Sequence, residues 1–369
     1  MEKDSIFSRI LKNIKGFGCY PNFLYFCSKF KTESYKTFKF IIYMKKSIFL
    51  SPASCAVALA LFIGCNGKKV SKNNVADLTC ESLTTERIEL DSLLGIDELV
   101  GVKDGNLICK SSNSGFFFYV LNSNNYSIKA KFGVKGTAGN EWIAPHLLLS
   151  NEKNICYVLD NGTRNIYKLY NFQIKEHSRF NINGIANNPK VFANYFCFSD
   201  EHPNKIVFRL NSFKDNMPID SVVIEDPQKE GKAFLNNFAY DLNNDNAVLA
   251  YQYKDKFEVY KILSNNKLDL ICSVQGNELV NENEIMYFSD ATIVGNRIYL
   301  LSQRHVDLAQ EKGYSSVEVY DLAGKALKNY KLNFIASQMR IDKSNETIYL
   351  LSATDGMLEK IRVPQSASF

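Results

Sequence analysis

Six short apolar segments of nearly the same make-up recur along the 369-residue chain: residues 107–111 (LICKS), 155–160 (ICYVLD), 195–200 (YFCFSD), 247–252 (AVLAYQ), 297–302 (RIYLLS) and 347–352 (TIYLLS). Their starts fall 48, 40, 52, 50 and 50 residues apart. A unit repeated at that spacing cannot bury its apolar faces alone, so the copies must stack on one another. The fifth unit shows the common layout: residues 289–295, 297–302, 316–322 and 326–332, with a turn at 323–325. Short runs rich in Val, Ile, Tyr and Phe, broken by Gly, Asn and Asp, read as strands joined by tight turns. Four antiparallel strands per unit of this length predict a propeller blade, and six units predict an all-β, six-bladed β-propeller. The last unit is one strand short, ending after residues 337–342, 347–352 and 357–363, while an unmatched strand waits at 85–90 (TERIEL). That strand is expected to complete the last blade and close the ring without an open edge.

The connection leaving the first unit carries a more specific pattern, Phe132, Gly133, Gly136, Ala138, Gly139, Asn140, Glu141 and Trp142. It resembles the G-x-x-G-x-G-P-G-E-F turn of the TolB-like six-bladed propeller lipoproteins of Bacteroidetes, which are related in shape to NHL-repeat propellers. Gly133, Gly136 and Glu141 match; Ala138, Gly139 and Asn140 stand where Gly-Pro-Gly is usual, and Trp142 takes the aromatic position. The resemblance spans roughly residues 80–363 and implies the fold and a cell-envelope setting, not an activity.

The N-terminus reads as an address. Met44, Lys45 and Lys46 precede an apolar run at 47–64 that ends in Gly64 and Cys65. A basic start, an apolar stretch and a small residue before the cut describe a secretory signal, and the terminal Cys makes it resemble a bacterial lipoprotein signal, with Phe62 where Leu is usual. The alternatives are a short transmembrane anchor interrupted by Pro52 and an uncleaved signal. The expected organisation is a non-native or disordered extension at 1–43, a signal at 44–64, a lipid-bearing Cys65 with a flexible tether at 65–79, and the propeller at 80–369. Lys68 and Lys69 stand where surface-directed lipoproteins of Bacteroidetes carry acidic residues, so a periplasm-facing anchor is expected.

Charge agrees with this division. The formal net charge of +5 suggests nucleic acid when taken whole, but residues 66–369 hold 34 basic and 36 acidic side chains. The excess belongs to the leader and the extension, so no nucleic-acid partner is expected. Cys80, Cys109, Cys156, Cys197 and Cys272 lie at long, irregular spacings with no C-x-x-C pair, and none is expected in an essential disulfide.

Connections between second and third strands, and between blades, open on one face of a propeller. There the sequence gathers Asp160, Arg164, Tyr251 and Tyr253, with Glu141 and Trp142 between blades, as candidate ligand-binding residues. It also places Asp200, His202, Arg304, His305 and Asp307 on that face, a set fit for acid–base chemistry or, with no other cofactor expected, for a divalent metal. Residues 303–314 read as a long loop and the best candidate for a functional insertion. The first expectation is a lipid-anchored binding, scaffold or sensor module for a small molecule, glycan or protein partner. The alternative is a propeller lyase or hydrolase using the rim His/Asp/Arg set.

Overall fold

The computed structural model describes residues 69–71, 79–90, 94–138, 141–180, 185–202, 205–225, 237–243, 245–276, 286–307, 310–342 and 347–362. The expected extension, the signal and Cys65 lie outside these residues.

The described residues form six sheets, each built on four antiparallel strands, and no helix. From first strand to fourth, blade 1 is Glu98–Lys103, Asn106–Lys110, Phe116–Asn122 and Ile128–Lys135; blade 2 is Pro145–Leu149, Ile155–Asp160, Asn165–Tyr170 and Gln173–Arg179. Blade 3 is Asn187–Phe192, Tyr195–His202, Lys205–Ser212 and Pro218–Glu225, and blade 4 is Phe238–Leu242, Asn246–Tyr251, Lys256–Ile262 and Leu268–Gln275. Blade 5 is Phe288–Val294, Arg297–Asp307, Lys312–Asp321 and Ala326–Lys331. Blade 6 takes Ala336–Asp342, Thr347–Ser352 and Leu358–Arg362 from the C-terminal end and its outer strand, Glu86–Ile88, from the N-terminal side. The chain is a six-bladed β-propeller closed as the strand deficit predicts.

The repeated text is the second strand of every blade, and its continuous apolar character follows from burial on both faces. Successive side chains of a strand point to opposite faces. In blade 4, Val248 and Ala250 pack toward blade 5, whereas Ala247, Leu249 and Tyr251 pack toward blade 3. In blade 6, Ile348 and Leu350 face blade 5, and Tyr349 and Leu351 face blade 1. Each neighbouring pair of blades shares a buried apolar cluster, and the one between blades 6 and 1 contains Ile88 from the closing strand with Leu99, Leu107, Tyr349 and Leu358. Cys109, Cys156, Cys197 and Cys272 are unpaired and buried within these clusters; Cys80 is unpaired and exposed.

Three features go beyond the four-strand repeat. Lys69–Ser71 and Cys80–Ser82 lie parallel to the outer strands of blades 4 and 5 as fifth strands, so the N-terminal segment skirts two blades before completing the third. The segment leaving blade 1 turns back, and Glu141–Trp142 runs parallel to Val134 and Lys135. Residues 303–314, expected as a loop, are instead mostly an extension of the blade 5 hairpin, with His305 opposite Tyr314, Val306 opposite Gly313 and Asp307 opposite Lys312. Alternation beyond Ser302 breaks at a register shift between Ser302 and His305, which hides the continuing ladder from a period-2 reading.

Candidate functional site

The first strands of all six blades line a central cavity of about 870 Å³. Blades 1 and 2 contribute Val100, Val102 and Leu148 together with Glu98, Lys110 and His146; blades 3 to 6 contribute Lys190, Asp241, Asp290, Thr292, Gln338 and Arg340. First strands of neighbouring blades are not paired with one another, so their free backbone groups need partners. Side chains from the preceding blade supply them. Lys110 Nζ donates to Pro145 O at 3.0 Å, and Asn161 Nδ2 donates to Ala186 O at 3.0 Å. Lys190 Nζ donates to Tyr240 O at 2.6 Å and lies 3.2 Å from Asp241 Oδ1, while Asp241 Oδ2 accepts from Ile293 N at 2.8 Å. Asp290 Oδ2 accepts from Met339 N at 2.9 Å and pairs with Arg340 Nη1. Gln338 Oε1 accepts from Leu99 N at 2.6 Å, and Arg340 Nε donates to Val100 O at 3.0 Å, which carries the sequence of latches from blade 6 to blade 1.

His146 is the histidine of this cavity. Burial, reinforced by the nearby charge of Lys110, holds its imidazole below the ordinary value of 6.5 and so neutral at neutral pH.

The sequence-derived candidates sit at the rim, and the structure gives most of them partners within the fold. Asp160 is fully buried and caps the turn after its strand, accepting from Ala144 N at 2.7 Å and from Thr163 Oγ1 at 2.9 Å. Arg164, at the end of that turn, is exposed. Trp142 is 1% exposed, its ring 5.5 Å from Tyr167 and 6.1 Å from Phe118 between centroids. A Cβ on Gly133 would meet that ring at 2.5 Å, and Gly133 has φ +76°, so glycine is required there on two grounds. Glu141 Oε2 accepts from Ala138 N at 2.9 Å, closing its own loop. Gly133, Glu141 and Trp142 therefore serve the turn and its packing.

Tyr251 is buried, and its hydroxyl donates to Glu258 Oε2 at 2.8 Å, as does that of Tyr260. Burial, then the Glu258 charge, pushes the Tyr251 phenol well above its usual value; Glu258 itself is held low by Lys256, 2.7 Å away, against the effect of burial. Tyr253 is half-buried on the same turn. Arg304 bridges two blades, pairing with Asp255 of blade 4 and, at 2.9 Å, with Glu318 of its own blade, beneath which Tyr320 OH donates to Glu318 Oε2 at 2.7 Å.

Asp200 accepts from Arg209 Nε at 2.8 Å and lies 3.2 Å from His202 Nε2. His305 stacks on Tyr314 with centroids 4.8 Å apart, and Asp307 pairs across the same hairpin with Lys312. The two histidines belong to blades 3 and 5, with blade 4 between them. Among the described residues, no three His, Cys, Asp or Glu side chains come together as a metal-holding group. The acid–base set drawn from the sequence is thus distributed over separate blades.

Reading the sequence did not single out Lys110, His146, Lys190, Asp241, Asp290 or Arg340. The signal was present for five of them: a charged or polar residue inside the first strand of a blade, beside an apolar second strand; Lys110 instead closes the second strand of blade 1. That signal marks the channel once strand order within the blade is known.

The sequence matches no known family model and no curated protein. Among solved structures, a Bacteroides fragilis protein described as exported aligns over 80% of this chain and 99% of its own at 11% identity, with a TM-score of 0.53. A DUF4221-family member from Bacteroides vulgatus aligns over 78% of this chain and 97% of its own at 12% identity and TM-score 0.47. The β-propeller domain of Cps50 (Swd1) from a Myceliophthora thermophila source aligns over 76% and 100% at 7% identity and TM-score 0.49. The first of these supports the propeller fold.

Proposed function

We propose that this chain is a cell-envelope binding module, anchored through lipid on Cys65, whose propeller receives a small polar molecule in its central channel. The observation that carries the binding reading is the cavity of about 870 Å³ lined by every blade, with titratable side chains held by partners on neighbouring blades. A preformed concave site with a few fixed polar groups and apolar wall is the usual form of a small-molecule site. Paired, backbone-bound carboxylates favour recognition over acid–base turnover, which needs a group poised to exchange its proton. The envelope setting rests on the signal-like sequence at 44–65 and on the B. fragilis protein, described as exported, that shares the fold.

Two experiments test this. A thermal-shift screen of small metabolites and oligosaccharides is run on the wild type and on Val100→Trp, which sets a bulky indole into the channel wall. Compounds that stabilise the wild type and not the variant support channel binding; stabilisation equal in both overturns it. Metabolic labelling with a fatty-acid analogue tests the anchor: label lost in Cys65→Ala is expected, and label retained refutes it.

A further inference from the structure

We propose that the channel ligand is a small organic carboxylate with a second oxygen acceptor at its far end, gripped by Arg340 and met on the opposite wall by Lys190; this rests on the channel reading above. The charges alone do not choose a ligand: Asp97, Glu98, Asp241 and Asp290 stand against Lys110, Lys190 and Arg340, four acids to three bases. The hydrogen-bond inventory does. Both oxygens of Asp241 are engaged, by Lys190 and by Ile293 N, and both of Asp290, by Ala291 N at 2.9 Å, Met339 N and Arg340. These acids have no call for a cation.

The bases retain donors. Arg340 uses Nε on Val100 O and Nη1 on Asp290 and Met339 O, leaving the two hydrogens of Nη2 with no acceptor among the described residues. Its side chain is 20% exposed, and the rest is fixed by neighbours on blades 5 and 1. A guanidinium fixed through Nε and Nη1 presents its one remaining nitrogen, Nη2, in a fixed direction for a single charge-assisted hydrogen bond to a carboxylate oxygen. Lys190 has three donor hydrogens and two acceptors, Tyr240 O and Asp241. Blades 6 and 3 are three apart in a ring of six, so the two donor groups belong to opposite sides of the cavity wall. Val100 and Val102, both part-exposed, supply apolar wall for a short carbon body between them.

Succinate, glutarate and butyrate are titrated against the purified protein at constant ionic strength, with chloride as control, reading melting temperature and heat of binding. A saturable response to the dicarboxylates, tighter than to butyrate, is expected. Arg340→Lys should weaken all three by about tenfold, the loss of one charge-assisted hydrogen bond, and Lys190→Met should weaken the dicarboxylates while sparing butyrate. Circular dichroism of each variant separates loss of binding from loss of fold. Responses no larger than those to chloride, or variants that bind like the wild type, overturn the proposal. If carboxylates fail while another compound binds in a manner lost in Val100→Trp, the channel reading stands and the ligand class falls; if nothing depends on Val100→Trp, both fall.

Discussion

Closure of the ring by Glu86–Ile88 predicts that one residue far from the C-terminus in sequence governs the stability of the whole domain. Ile88 is 2% exposed and sits in the cluster joining blades 6 and 1. Replacing it with Ala removes three carbons and leaves a cavity in a rigid setting, a loss of about 2–5 kcal/mol for such changes. For a domain of about 290 residues, the entropy of unfolding near the midpoint is about 0.6 kcal/mol per kelvin, so a loss of about 3 kcal/mol lowers Tm by about 5 °C. The control is Ile128→Ala on the outer strand of blade 1, where the side chain is 40% exposed and the expected change is under about 1 °C. Scanning calorimetry reads both. Closure by this strand is refuted if Ile88→Ala melts with the wild type, or if both variants fall equally.

Other outcomes follow from the same packing. Arg304→Ala leaves Glu318, 1% exposed, without its cation and should cost about 3–5 kcal/mol by denaturant titration, whereas removing the exposed Arg87 partner of Glu359 should move the unfolding midpoint far less, because water screens that pair. Gly133→Ala should lower stability by at least about 1 kcal/mol, since both its φ of +76° and the Trp142 ring oppose a methyl group. His146 has its folded value below the ordinary 6.5, so below pH 6.5 the unfolded chain binds more protons than the folded one. Stability then falls as pH drops through that window, and His146→Gln should flatten the dependence of Tm between pH 7.5 and 5. Thiol labelling of the native protein, mapped by mass spectrometry, should modify Cys80 and spare Cys109, Cys156 and Cys197, the second of which burial pushes up to about 12.

The second strands were legible because burial on both faces writes an unbroken apolar run, and the closing strand because a repeat with one missing member demands it. Fifth strands were not legible. Lys69–Ser71 is three residues long, too short for any hydrophobic period to announce a strand. The rim residues chosen from turn chemistry were visible as polar letters, but Asp160 and Arg304 have their partners inside the fold, and letters do not distinguish a turn cap from a ligand contact.

What the sequence by itself determined is the architecture: six copies of a unit, each with two faces to bury, admit a closed ring and little else. The site was decided only by tertiary structure. Lys190, Asp241, Asp290 and Arg340 are about fifty residues apart along the chain, and they become one surface because the first strand of each blade turns toward a common axis. Each meets its partner on a neighbouring blade, and no local pattern records a contact made across the ring.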